Sequence, residues 1–481
     1  MDMGTDIANM EIRKTARIII LTTTLTVFHA AAKDINFGTN ASSELTFTDN
    51  INSSNKNKHS GFVSTWSAGA YSDIKGNDGN LLFKYDVYQT IHSVDSNRNE
   101  LFNELALSAD KSIYKDSLKF NLDASVTNIA RFREDNANSD IITGNTIETR
   151  SLDGGISYQS NPRGIIDFYS SINGGITSNE DEIGDYRDYN ADVTIRNGTS
   201  VKHLVWLTDY YYTKNISDIT EDEYYDFTLN QEVGLQPQKN ISPLIRVYYE
   251  GYTDDDEELV ESGQWGPVVR YYVHERSYVE LAYNFSFKEE DFWSGHLRLN
   301  PTPRTLLEFD YTKRFYGDAY YFFLTHKTKK VTNTIEYTEE LVGFDREFFV
   351  VGENVEEYKL LKSFNVSSTL DLKRSSFTAK IRVSERKVLS DVSENSRGNS
   401  KTYGTDLSAS HRLSENLSLS GSFQFDKDVF EPNSKTNYYR SYDLSLNNQL
   451  SEHLSWNASL DRTNSNVYSE NRANFILRLV Y

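Results

Sequence analysis

Ala473-Asn-Phe-Ile-Leu-Arg-Leu-Val-Tyr481, the last nine residues of the sequence, decide the fold. Successive side chains of a strand point to opposite faces, so one face of this segment is wholly apolar while Asn474 falls on the other. An outer-membrane barrel ends in this way, because its last strand faces lipid and pairs with the first strand, leaving no open edge in hydrocarbon. The apolar side chains of this predicted closure signal are Phe475, Leu477, Leu479 and Tyr481.

The other end of the sequence predicts export from the cytoplasm. Arg13, Lys14 and Arg17 precede the apolar residues 18–27, and small residues follow up to position 32. This pattern is typical of a secretory signal peptide, and the alternative is a buried core helix. We therefore divide the chain into a signal peptide (1–32), a short periplasmic segment (33–43) and an outer-membrane β-barrel (44–481). A barrel that starts so early leaves no room for a plug domain, which disfavours an energy-coupled transporter.

Composition excludes several classes of protein. The formal net charge is −20 and the mean hydropathy is −0.60, so the chain is too polar for a helical membrane protein and too acidic for a nucleic-acid-binding one. Aromatic residues make up 13% of the chain, which is too many for a disordered protein. There is no cysteine, and hence no disulfide framework.

Segments of alternating polarity recur along the chain. Residues 81–88, 277–287 and 376–383 each place apolar side chains on one face and polar ones on the other. Charged residues such as Lys84 are costly in lipid, so the polar face must line a wet lumen. Short turns alternate with longer polar loops, and counting the strands gives an all-β, antiparallel, up-and-down barrel of about 24 strands, within a range of 22–26. The alternation is weakest in segment 294–299 and at the corner 314–317. The first strand, which should pair with the closing strand, is expected at residues 45–49.

A barrel of this size has a lumen too wide for strand side chains to fill, so we expect either inward-folded loops or a large cargo. The alternation of side chains along each strand places a set of cations in this lumen, where they could screen an acidic polymer. The alternative is that these cations form cross-barrel ion pairs with Glu250, Glu280 and Glu308. The predicted lumen cations are Lys84, Arg246, Arg270, Lys380, Arg382 and Arg478.

Aromatic doublets such as Tyr248-Tyr249 and Tyr438-Tyr439 have two readings. They are typical of the girdles at membrane interfaces, but one ring of each pair could instead line the lumen and stack on sugars. The acidic runs 254–258 and 180–182 are either solvated loop tips or weak divalent-cation sites. No catalytic motif is present, so the sequence predicts no enzyme activity, no cofactor and no resident metal.

Two regions resemble a known family. Phe47-Thr-Asp-Asn-Ile51 with Ser60-Gly-Phe-Val63, and then Tyr311-Thr-Lys-Arg-Phe-Tyr-Gly317 with Thr325-His-Lys-Thr-Lys-Lys330 and Glu336-Tyr-Thr-Glu339, resemble the outer-membrane barrels associated with PEP-CTERM and exopolysaccharide systems. The resemblance implies an exit porin of a Wzx/Wzy-type pathway that works with a periplasmic polysaccharide-export protein.

These observations together predict a porin-like conduit in the cell outer membrane that exports an exopolysaccharide. The alternatives are a structural or assembly barrel that conducts nothing, and a general diffusion porin. The partners expected are outer-membrane lipid, the barrel assembly machinery acting through the C-terminal strand, the periplasmic export protein and the polysaccharide, with no nucleic acid.

Overall fold

The computed structural model describes residues 32–114, 117–133, 136–218, 223–237, 240–253, 258–343, 358–389, 399–431 and 435–481. The predicted signal peptide, apart from Ala32, lies outside these residues. The described chain forms one sheet of 24 strands in which each strand pairs with its sequence neighbours in antiparallel fashion. The predicted fold class and strand number are therefore confirmed.

The strand bounds follow the alternating segments of the sequence. The two segments in which the alternation is weakest are also part of the sheet, where they form β14 and the hairpin of β15 and β16. The strands are β1 (Ala32–Thr48), β2 (Gly61–Gly76), β3 (Gly79–His92), β4 (Leu101–Ile113), β5 (Leu118–Ala130), β6 (Thr146–Gln159), β7 (Ile166–Asn179), β8 (Tyr186–Asn197), β9 (Leu204–Ser217), β10 (Glu223–Leu235), β11 (Ile241–Thr253), β12 (Leu259–His274), β13 (Ser277–Ser286), β14 (Phe292–Thr302), β15 (Thr305–Arg314), β16 (Gly317–Lys327), β17 (Val331–Val342), β18 (Lys359–Asp371), β19 (Ser375–Val388), β20 (Ser400–Arg412), β21 (Leu417–Phe430), β22 (Lys435–Gln449), β23 (Leu454–Asn464) and β24 (Ser469–Val480).

The sheet closes by pairing β1 with β24. Leu45 lies opposite Phe475 and Thr48 lies opposite Arg472, which is the predicted pairing. One boundary is corrected, because β1 begins at Ala32 and pairs with β2 along its whole length. Residues 33–43, expected to be a periplasmic tail, therefore belong to the barrel wall. The sequence pattern does not reveal this strand, because Asn36, Gly38 and Asn40 on its inner face are polar or small.

The two ends of the barrel differ in the length of their connections. Turns such as 77–78, 275–276 and 303–304 join strands at the end that carries Ala32 and Tyr481, and longer connections, such as 49–60 between β1 and β2, join them at the other end. Outer-membrane barrels place short turns in the periplasm and long loops outside the cell, and we name the two ends accordingly. The extracellular loop that the polar residues predict at 176–188 is shorter in the structure, because β7 continues to Asn179 and β8 begins at Tyr186.

The barrel wall is low at β13 to β16, because these four consecutive strands are only 10 or 11 residues long. A two-residue turn, Phe315-Tyr316, joins β15 to β16, and Gly317 follows it at φ +101°, a conformation that side chains with a Cβ rarely adopt. The β16–β17 ladder runs only from the pair Phe322 and Tyr337 to the pair Lys327 and Thr332. In the described structure, residues 338–342 of β17 pair with β18 but not with β16.

No helix among the described residues is long and apolar enough to cross a membrane.

Candidate functional site: the barrel lumen

The register of the ladder assigns every strand residue to the lumen or to the outer surface. Thr46 and Thr48 are buried on the inner face of β1, whereas Leu45 and Phe47 are exposed on its outer face. The same alternation places all six predicted cations on the inner face and the closure signal on the outer face. With strands about 4.8 Å apart and tilted by roughly 40°, a barrel of 24 strands is about 48 Å across its backbone.

Two of the predicted lumen cations are neutralised in a ring of four charges. Arg246 donates to Glu232 at 2.8 Å, and Arg270 donates to Glu280 at 2.7 Å and to Glu232 at 3.1 Å. Arg246 also contacts Glu280, which closes the ring across β10 to β13. These arginines are therefore not free to screen an acidic cargo. The alternative was right about Glu280, but the pairs join neighbouring strands rather than opposite walls, and Glu232 was not foreseen.

The remaining predicted cations divide into paired and open groups. Lys84 lies 2.8 Å from Asp86, and Arg382 binds Asp426 at 2.8 Å and Asp406 at 3.3 Å. Lys380 and Arg478 are exposed on the inner face and have no ion pair within the described chain. The other two predicted acceptors bind cations outside the predicted set, Glu250 with Arg314 and Glu308 with Arg298.

The inner face of β4 to β10 carries unpaired acids that the sequence reading missed. Asp123 and Asp153 are partners across β5 and β6, and Asp188 follows on β8 beyond Gly175. A Cβ on Gly175 would displace the carboxylates of both Asp153 and Asp188, so glycine lets the two side chains lie over this position. None of the acids of this acidic wall has a described lysine or arginine within ion-pair distance. The acidic wall consists of Glu104, Asp110, Asp123, Asp153, Asp188, Asp192, Asp209 and Asp226.

Each of these carboxylates occupies an inward position in an alternating strand, so parity alone could have found them. Their grouping depends on the register between strands, which a single sequence does not give. Two tyrosines lie on the same wall. Tyr169 on β7 and Tyr211 on β9 face the lumen, and they are 38% and 39% exposed.

An extracellular loop folds into the lumen. Residues 131–133 and 136–145, which follow β5, lie against the inner face of β21 to β24. Arg133 donates to Asp426 at 2.6 Å and its guanidinium lies 4.3 Å from the ring centre of Tyr439. Thr463 donates to Asn138 at 2.7 Å, and the N–H of Ala137 donates to the hydroxyl of Tyr468 at 3.1 Å. This inward loop fulfils one of the two expectations for filling so wide a lumen.

The corner at 314–317 also turns inward. Glu250 on β11 accepts hydrogen bonds from Arg314 at 2.8 Å, from the N–H of Phe315 at 3.1 Å and from Tyr248 at 2.9 Å. The ring of Phe315 packs on Tyr252 with 4.6 Å between centres. These contacts draw the β15–β16 hairpin across the inner face of β11 and narrow the lumen above the low part of the wall.

Tyr358, the residue before β18, reaches the same cluster. Its hydroxyl accepts a hydrogen bond from Asn215 of β9 at 2.9 Å, and its ring meets Tyr224 edge-on. Leu341 of β17 packs beside them. Leu341 lies in the extracellular part of β17, where the strand no longer pairs with β16.

The aromatic doublets divide between the two faces, as alternation requires. Tyr248 and Tyr439 face inward and are engaged by Glu250 and Arg133, whereas Tyr249 and Tyr438 face outward. No group of three His, Cys, Asp or Glu side chains in the described residues is arranged to hold a metal ion. Residues 254–257 of one acidic run lie outside the described residues, and the run 180–182 forms part of an extracellular turn.

Solved structures with a similar fold are outer-membrane proteins. The FrpB iron transporter from Neisseria meningitidis, in its F5-1 apoprotein form, matches with a TM-score of 0.50 and 10% identity over 94% of this chain and 82% of that one. The siderophore receptor PirA from Pseudomonas aeruginosa gives a TM-score of 0.42 at 10% identity, covering 92% of this chain and 80% of that one. A loop-deletion mutant of OmpT from Vibrio cholerae gives 0.35 at 8% identity, covering 93% and 99%.

At these identities the likeness to FrpB shows a shared fold and carries no substrate across. No protein-family model and no curated protein matches the sequence. With its 24 antiparallel strands and its lipid-compatible outer face, the protein is an outer-membrane β-barrel.

Proposed function

We propose that the barrel is a passive conduit for neutral or cationic polar cargo, and that this cargo is a polysaccharide leaving the cell. The observation that carries the proposal is the acidic wall, because carboxylates without a cation partner raise the local concentration of cations and repel anions. The resemblance to exopolysaccharide-associated barrels supports the choice of polymer. The role is transport rather than catalysis.

The acidic wall also suits a sugar chain. Carboxylates accept hydrogen bonds from hydroxyl groups, and the open rings of Tyr169 and Tyr211 offer flat apolar surfaces on which sugar rings stack. These contacts are individually weak, and they repeat along the wall. A conduit needs weak binding at several places, because cargo that binds tightly does not leave. An anionic polymer, which the sequence reading allowed, is disfavoured by the same carboxylates.

Selectivity in planar bilayers tests the electrostatic part of the proposal. Under a KCl gradient we expect a reversal potential that favours K⁺, reduced in the triple variant Asp123→Asn, Asp153→Asn and Asp188→Asn. A matched triple variant in extracellular connections, Glu182→Gln, Glu289→Gln and Glu290→Gln, should leave the reversal potential close to that of the wild type. A barrel that conducts nothing, or that favours Cl⁻, contradicts the proposal.

Deletion of the gene in its own host tests the cargo. We expect loss of surface polysaccharide and its accumulation in the periplasm, with uptake of small solutes unchanged. If instead uptake falls and the polysaccharide is unaffected, the protein is a general diffusion porin.

A further inference from the structure

Basic side chains are concentrated at the periplasmic ends of β14 to β20. Three consecutive periplasmic turns, 303–304, 328–330 and 372–374, and the strand end before the second of them carry this charge. All of these side chains are exposed, and none has an ion pair within the described chain. We call this patch the basic rim, and it consists of Arg304, Lys327, Lys329, Lys330, Lys373 and Arg374.

The basic rim stands out against the rest of the molecule. The chain as a whole has a formal net charge of −20. The described periplasmic turns elsewhere carry one cation or none, as with Arg163 in turn 160–165, Lys202 in turn 198–203 and Arg276 in turn 275–276. A patch of one sign that opposes the net charge of its protein is not explained by solubility, and it points to a binding surface.

Backbone hydrogen bonds hold the turns of the rim side by side. The N–H of Lys327 donates to the carbonyl of Arg304, and the N–H of Asp371 donates to that of Lys330, each at 2.7 Å. The N–H of Arg412 extends the series by donating to Arg374 at 2.7 Å. The cations of the rim therefore lie along one ordered edge, which at about 4.8 Å per strand is roughly 24 Å wide from β14 to β19.

The rim lies at the mouth of the barrel, and Lys327, its one member within a strand, faces inward rather than toward lipid. Leu372 and Leu413, where two of the turns begin, are exposed on the outer face, and they are the residues placed to meet the inner leaflet. Lys327 and Arg412 fall on the inner face at the ends of their strands. Headgroup binding would place the cations on the side of the leucines instead.

We propose that the basic rim docks an acidic surface of a periplasmic protein that sits at the mouth of the barrel. The inference rests on the outer-membrane placement and goes beyond the proposed conduit. An anionic polymer is a poorer occupant, because the carboxylates of the acidic wall line the lumen beyond the mouth and would repel it. Charge complementarity on this scale speeds association and makes it strongly dependent on salt.

Photo-crosslinking in living cells tests the inference. A benzoylphenylalanine is placed at Thr328 in the full chain, and the crosslinked partner is identified by mass spectrometry. We expect an adduct with a protein segment of net negative charge. An adduct with lipid or polysaccharide alone, or no adduct, overturns the proposal.

Charge dependence supplies the matched control. The rim variant Lys327→Gln, Lys329→Gln, Lys330→Gln, Lys373→Gln and Arg374→Gln should lower the adduct by about tenfold or more, since complementary charge raises encounter rates by roughly 10–10³. The variant Arg163→Gln, Lys202→Gln and Arg276→Gln should lower it by less than about twofold, because it leaves the patch intact. Equal losses in both variants overturn the proposal, and heat-modifiable gel migration checks that each barrel is folded.

The proposed conduit and the proposed docking surface can be disproved independently of each other. The rim variant should still favour K⁺ in the bilayer measurement, because it leaves the acidic wall intact. If the barrel proves non-conducting while the charge-dependent adduct persists, the proposed conduit is wrong and the docking surface stands. If the barrel conducts with the expected selectivity and no adduct forms, only the docking surface is wrong.

Discussion

Arg472, on the strand that closes the barrel, is ion-paired with Asp140 of the inward loop. The arginine side chain is 7% exposed and also lies 2.8 Å from Glu470 on its own strand. Asp140 accepts hydrogen bonds from the N–H groups of Ile142 and Thr143 at 3.0 and 2.7 Å, which shapes the loop around it. One residue of the closing strand thus fixes the position of a loop that follows β5.

Replacing Arg472 should release the inward loop. In Arg472→Gln the half-buried carboxylate of Asp140 and the buried carboxylate of Glu470 lose their cation. Breaking one side of a buried pair costs about 3–5 kcal/mol, and a pair that is partly exposed costs less. We expect a larger and noisier single-channel conductance in planar bilayers. Arg187→Gln is the control, because the pair of Arg187 with Asp218 is exposed and its loss should leave the conductance unchanged. An unaltered conductance in Arg472→Gln would show that other contacts hold the loop.

Acid should release the same loop. Burial raises the pKa of Asp140, but the Arg472 guanidinium and the N–H of Thr143 outweigh it, so the pKa lies below its ordinary value of about 3.9. A carboxyl whose pKa is lower in the docked state stabilises docking above its ordinary pKa and loses that effect as the pH falls through the lowered value. Conductance recorded on descending pH should therefore stay constant to about pH 4 and rise below it, and Asp140→Asn should abolish this rise.

The sequence predicted the wall of this barrel better than its interior. Alternation is a property of each strand alone, so the faces of Lys84 and Phe475, the closing pair of strands and the strand number all follow from it. Parity says only which side chains enter the lumen. Whether Arg246 meets Glu232 or stays open depends on the register between β10 and β11, and a slip of one residue would send either side chain to the other face.

The positions of the loops could not be predicted from the sequence for a different reason. Arg133 and Asp140 bind residues of β21 and β24, hundreds of positions away along the chain, and no local pattern marks such a contact. The early start of β1 was missed because polar residues such as Asn36 and Asn40 on its inner face resemble a tail. Polar inner faces are normal for a wet lumen, so a barrel strand gives a weaker signal than a core strand.

Breaking the ring of four charges should destabilise the barrel and change its selectivity. In Glu232→Gln the two arginines Arg246 and Arg270 share Glu280 alone, leaving one positive charge in excess. Because the arginines are 22% and 15% exposed to the lumen, we expect a loss of about 1–3 kcal/mol, less than for a fully dry pair. The measurements are urea unfolding in liposomes and a reversal potential shifted toward anions.

A double variant separates charge from packing at this ring. Glu232→Gln with Arg246→Gln restores neutrality, so it should recover the wild-type reversal potential and part of the lost stability. If the double variant is as unstable as the sum of the two single variants, the four groups are not coupled and the ring is an arrangement without energetic consequence.

Two adjacent residues of the closing strand test the assignment of faces most directly. Phe475 is 50% exposed on the outer face and stacks beside Trp456, whereas Asn474 faces the lumen and donates to Ser459 at 3.0 Å. Phe475→Arg places a charge in lipid at a cost of about 2–4 kcal/mol near the midplane, so the variant should fail to reach its compact heat-modifiable form. Asn474→Lys puts a charge one residue away into water beside Asp461 and should fold normally. If both variants fold equally well, or if the lysine variant alone fails, the assignment of the two faces of β24 is wrong.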